Sequence, residues 1–165
     1  MTKIAPALFS LLLALPAAAA YDIKGLELGA HEKDLRQTLP SVHCKPLEWE
    51  SRAADRRCDD SRVMFGGVEV KVTFYLRKGT VEAFDMRFDT RELERFMTFL
   101  KARYGPPTSE TRDTFAAKGK STREVYKALW ERGPQRAVLN AHLEKRRAGL
   151  LVYRGAFEEE IYRVR

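Results

Sequence analysis

The stretch "VEVKVTFYLRKGTVEAFDMRF", Val68 to Phe88, decides the fold. Apolar and polar residues alternate on both sides of Lys78-Gly79, the period of strands buried on one face. The Lys78-Gly79 pair between them marks a β-hairpin. The pattern favours a loop of Arg77, Lys78 and Gly79, with Gly79 left-handed. Val72 then faces Phe84, Val70 faces Met86 and Val68 faces Phe88, all on one side. On the other side Lys71 meets Asp85 and Glu69 meets Arg87. A shorter Lys78-Gly79 loop would set Val72 against Asp85, and a one-residue slip turns a strand inside out. The two charge pairs are therefore expected to pin the register, each worth about 0.2–1 kcal/mol.

Working outward, Gly66-Gly67 supplies a tight turn to a preceding strand over Ser61 to Phe65. After the hairpin, "DTRELERFMTFLKARYGPP" reads as a helix. Asp89 or Thr90 can cap it, and Leu93, Phe96, Met97, Leu100 and Tyr104 recur at helical spacing. Gly105 and two prolines end it. The polar residues 106–124 read as a linker or exposed loop. Three more strands are expected over Val125–Glu131, Ala137–Leu143 and Gly149–Arg154. Upstream, "GLELGAHEKDLRQTLP" reads as a short strand, a glycine turn and a short helix with His31 at its N-cap, and 41–60 as a polar loop. The tail "FEEEIYRVR" suits a short helix or an edge strand. The expected fold is α+β: two tandem helix-plus-antiparallel-meander units, residues 21–88 and 89–165, each with three strands and with helices on one face of the sheet.

Residues 1–20, "MTKIAPALFSLLLALPAAAA", have the layout of a secretory signal peptide: Lys3, a short apolar run, then Pro16 and small residues. Cleavage is expected after Ala20, giving a periplasmic or secreted protein. The apolar run is too short to span a hydrocarbon core of about 30 Å. Without Lys3, 29 of the 30 lysines and arginines remain against 23 acidic residues, a net charge of +6. That balance permits weak attraction to anionic polymers without demanding it. Cys44 and Cys58 form an even pair in an exported chain, so a disulfide is expected. Closing that loop stabilises a fold by about 3 kcal/mol on a chain-entropy argument. A metal set of His43, Cys44, Cys58 and Asp59 or Asp60 would match no zinc spacing.

The segments "IKGLELGAHEKDLRQTLP" and "VTFYLRKGTVEAF" resemble small bacterial envelope proteins of the BamE (SmpA/OmlA) type, over residues 22–40 and 68–107. The tandem helix-plus-meander layout resembles the beta-lactamase-inhibitory-protein-like fold. These resemblances imply an exported, non-enzymatic module that binds another envelope or secreted protein through its sheet. BamE-type proteins are usually lipoproteins. No cysteine stands at the cleavage junction here, so lipid anchoring is not expected.

Catalytic motifs do not emerge. The chain has no Gly-x-Ser-x-Gly elbow, no His-Glu-x-x-His helix and no phosphate-cradling glycine loop. No enzyme, cofactor or metal is expected. For protein binding, the hairpin pattern gathers Thr73, Tyr75, Val81 and Ala83 on the outer side near its tip, tyrosine with small apolar neighbours as in an interface core. The alternative is polyanion binding, to lipopolysaccharide, glycan or nucleic acid, through the basic turn residues Arg132, Arg136, Lys145, Arg146 and Arg147.

Overall fold

The structure is a computed structural model and describes residues 20–116 and 122–165. The expected leader, residues 1–20, lies outside them except for Ala20. Asp22–Ile23 (β1) and Leu26–Glu27 (β2) pair as a small hairpin, followed by the helix Glu32–Thr38 (α1). A first meander runs through His43–Pro46 (β3), Arg56–Phe65 (β4), Val68–Arg77 (β5) and Thr80–Phe88 (β6). The helix Leu93–Tyr104 (α2) leads to a second meander, Ser109–Phe115 (β7), Arg123–Arg132 (β8), Gln135–His142 (β9) and Arg147–Arg154 (β10). Phe157–Glu160 (α3) completes the order.

The expectation of tandem α+β units is overturned. All eight strands from β3 to β10 form one antiparallel sheet in the order β3-β4-β5-β6-β10-β9-β8-β7. The meanders join along β6 and β10, paired from Ala148 with Phe88 to Tyr153 with Ala83. The physical reason lies in β6. Ala83 is buried on one side of it and Phe84, Met86 and Phe88 on the other, so an open backbone edge there would leave polar groups unpaired. Each meander also gains a strand: β3 arises within the expected loop 41–60 and β7 within the expected linker. Nor do the helices share one face. Leu35 of α1 and Phe96 and Leu100 of α2 pack into the main core with Phe74, Phe84, Leu139 and Leu150, while Phe157 of α3 packs on the opposite face.

The hairpin register also differs. Lys78 and Gly79 form a two-residue turn with φ of 50° and 78°, and Arg77 pairs with Thr80. Leu76 then pairs with Val81 but Tyr75 pairs with Ala83, leaving Glu82 as a bulge residue. The extra residue turns Val81 onto the core face without inverting the rest of β6. A neighbouring segment rewards it: Gly29 N–H donates to Val81 O at 2.8 Å, and Val81 N–H donates to Ala30 O at 2.9 Å. Val72 consequently faces Met86, Thr73 faces Asp85 and Lys71 faces Arg87. The expected pairings of Lys71 with Asp85 and Glu69 with Arg87 do not form.

At the β4–β5 turn, Gly66 has φ 60°, and a Cβ there would sit 2.5 Å from the Phe99 ring, so glycine serves both the turn and the close approach of α2. Cys44 and Cys58 face each other across β3 and β4 and are joined by the disulfide. It anchors the loop that closes one end of the outer face. Leu47, Trp49, Ala53 and Ala54 from that loop, with Phe157 and Ile161 from the tail, cover Tyr75, Ala83 and Tyr153. Trp49 Nε1 donates to Ile161 O at 2.9 Å, and Arg52 N–H donates to Arg163 O at 3.0 Å, stitching loop to tail.

Candidate functional site

Beyond this lid no element among the described residues covers the outer face. Paired residues on an antiparallel sheet point to the same side, so the register maps the surface in rows. One row crosses five strands: Lys71 on β5, Arg87 on β6, Gly149 on β10, Asn140 on β9 and Lys127 on β8. At about 4.8 Å per strand it spans about 19 Å. The adjoining row, toward the lid, holds Thr73, Asp85, Leu151, Val138 and Leu129. On the far side Arg147 stands opposite His142. All of these except Lys127, Thr73 and Leu129 border an open groove of about 800 Å³ whose rim also includes Arg146.

The charges on this face are only partly paired. Lys71 stands directly opposite Arg87, and like charges in that position are destabilising. Arg87 Nε donates to Asp85 at 2.7 Å, its side chain 70% exposed while that of Asp85 is only 16% exposed. Burial pushes the Asp85 carboxyl above the usual carboxylate range, against the pull of Arg87. Among the described residues Lys71, Lys127, Arg146 and Arg147 make no ion pair, and neither does Glu69. Asp89 is held by Arg91 at 2.9 Å. The unpaired charge on this surface is thus mainly positive.

Gly149 sits where the row is open. A Cβ added to it would lie 3.5 Å from Asp85 Oδ1 and 3.6 Å from Met86 O, ordinary contact distances. Packing therefore does not demand glycine. Its effect is to leave the floor of the groove bare between Arg87 and Asn140.

The four residues expected for protein binding do not form one exposed surface. Thr73 donates to Asp59 Oδ1 at 2.7 Å, and with Arg57 it holds that carboxyl below its ordinary range although burial acts the other way. Tyr75 lies 5.4 Å from the Phe157 ring beneath the lid. Val81 and Ala83 are both 0% exposed, on opposite faces because of the Glu82 bulge. The basic set is also divided. Arg132 is stacked 4.9 Å from Tyr21 and 5.4 Å from Tyr104, and donates to Tyr104 O at 2.9 Å. Arg136 pairs with Glu131 at 3.1 Å, at the same end of β9. Lys145, Arg146 and Arg147 lie at its other end, where Arg146 and Arg147 border the groove. Lys71 and Arg87 entered the sequence expectation only as separate register-pinning pairs and Lys127 not at all, because only the observed register brings the three into one row.

The Glu32 carboxylate lies within 4.8 Å of both disulfide sulfurs, but the thiols are consumed in the bond and Glu32 is held by Arg36 and Arg56 at 2.8 and 3.0 Å. That cluster is structural. No helix among the described residues is long and apolar enough to cross a membrane. No protein family matches the sequence, and neither a curated protein nor a solved structure matches it.

Proposed function

We propose that the chain is an exported, non-enzymatic protein-binding module of the bacterial cell envelope, and that the bare outer face receives an acidic segment of its partner. The leader-like sequence 1–20 and the disulfide support export. The observation that carries the binding reading is Lys71 facing Arg87 beside the bare Gly149, in one row with Lys127. Arg87 is already paired with Asp85, whereas Lys71, Lys127 and Arg147 have no acidic partner among the described residues, and an acidic strand or loop laid along the row supplies the missing counter-charges. Asn140 offers both donor and acceptor beside the bare floor, suiting a peptide backbone.

A short synthetic peptide alternating glutamate and threonine tests this by fluorescence anisotropy. The variant Lys127→Glu with Arg147→Glu should bind it at least about tenfold more weakly, a loss of about 1.4 kcal/mol. Unchanged affinity would remove the face from the reading. The second reading, a polyanion binder, is favoured by Arg146 and Arg147 standing unpaired on the groove rim. An oligonucleotide or lipopolysaccharide probe separates the two. Polyanion binding falls steeply with salt by counterion release and tolerates any sugar or base, whereas the peptide reading requires the acidic peptide to bind better than either polymer.

A further inference from the structure

The two edges of the sheet are built differently. On one edge β3 is four residues long, ends at Pro46, and leads into a loop that folds back, with Leu47 N–H donating to Asp55 O at 2.9 Å. Short length, proline and a covering loop are the means by which proteins blunt an edge. On the other edge β7 has seven residues in unbroken register with β8, from Ser109 opposite Leu129 to Phe115 opposite Arg123. It has no proline and no bulge, all seven residues are exposed, and Phe115 at its end is 54% exposed.

The sequence of β7, Ser-Glu-Thr-Arg-Asp-Thr-Phe, is complementary to itself in one register. A two-fold axis perpendicular to a sheet keeps each side chain on its own face, and opposed residues in an antiparallel ladder share a face. The residue on the axis must therefore meet its own copy. Centring on Glu110, Arg112 or Asp113 brings identical charges together. Centring on Thr111 sets threonine against threonine, Glu110 against Arg112 twice, and Ser109 against Asp113 twice. It also places Phe115 opposite Pro107 of the second copy. Glu110 and Arg112 remain able to serve this role. Glu110 accepts from Tyr126 at 2.6 Å and Lys101 at 3.0 Å, and Arg112 pairs with Glu124 at 2.7 Å, leaving capacity on both groups.

The geometry points to an isologous dimer in which β7 pairs antiparallel with β7 of a second copy about Thr111, continuing the sheet across both molecules. This edge adjoins the outer row, with Thr111 opposite Lys127, but the dimer does not depend on what that row binds.

Sedimentation velocity from micromolar to near-millimolar protein tests the dimer. The wild type should dimerise within that range. Arg112→Glu and Glu110→Arg should each weaken the dimer at least about tenfold, because each creates two like-charge pairs, and the double swap E110R/R112E should restore it. Thr111→Cys gives a readout independent of those charges. The described residues hold no free cysteine, and two copies of residue 111 would lie directly opposed on the axis, so mild oxidation should join the copies covalently. A wild type monomeric at every concentration with Thr111→Cys left uncrosslinked overturns the assignment. So does a dimer indifferent to both single reversals.

Discussion

The two ends of the outer face lie on the same strands and meet opposite fates. At one end Tyr75, Ala83 and Tyr153 are apolar neighbours under a lid of Trp49, Phe157 and Ile161. A few residues along the same strands, Lys71, Arg87, Gly149 and Asn140 form a charged, open floor. The covered end follows the rules of a core: aromatic side chains, buried area and a disulfide anchoring the loop. The open end breaks them, with like charges opposed, a buried carboxyl pushed toward its neutral form and a glycine that neither backbone nor packing requires. Local conflict of this kind in an otherwise consistent fold is where function is expected.

The largest test of the contrast removes the lid's anchor. Phe157→Ala should cost about 3–5 kcal/mol as a buried aromatic truncation, seen as a lower urea midpoint and increased binding of an apolar dye at the uncovered end. If that variant unfolds with wild-type stability, the lid is not part of the cooperative core.

At the open end the effect has the other sign. The folded-state pKa of Asp85 is raised by burial, so its charged form costs stability above that pKa. The penalty is relieved as pH falls through the folded value toward the ordinary carboxylate range. Asp85→Asn should therefore stabilise the protein at neutral pH and remove that part of the rise in stability on mild acidification, measured by denaturation at a series of pH values. A loss of stability at neutral pH would mean that the hydrogen bond to Arg87 outweighs burial.

The legible parts of the sequence were those set by local pattern. The alternation from Val68 to Phe88, the α2 stripe of Leu93, Phe96, Met97, Leu100 and Tyr104, and the Cys44–Cys58 pair each carry their signal within a few residues or by simple count. The hairpin register did not, because the Glu82 bulge answers to Gly29 and Ala30, about fifty residues upstream, and no hairpin pattern encodes that contact. Strand β7 was illegible for a different reason: its residues are exposed on both faces, so no apolar period marks it. The fusion of the meanders through β6 and β10 is likewise a long-range pairing. The candidate site inherits the register error. Arg146 and Arg147 are visible by composition, but Lys71 opposite Arg87 exists only once the bulge has shifted one strand against the other.

The most direct test of the account is therefore a single substitution read twice. Lys71→Glu replaces an opposed pair of cations with an opposite-charge pair facing Arg87, so the free protein should gain about 0.2–1 kcal/mol of stability. The same variant should lose affinity for the glutamate-threonine peptide. Thermal unfolding and anisotropy on one preparation provide both values. The midpoint should rise while binding weakens. Lower stability with unchanged binding would contradict it, placing Lys71 among the structural residues and leaving the bare face without a role.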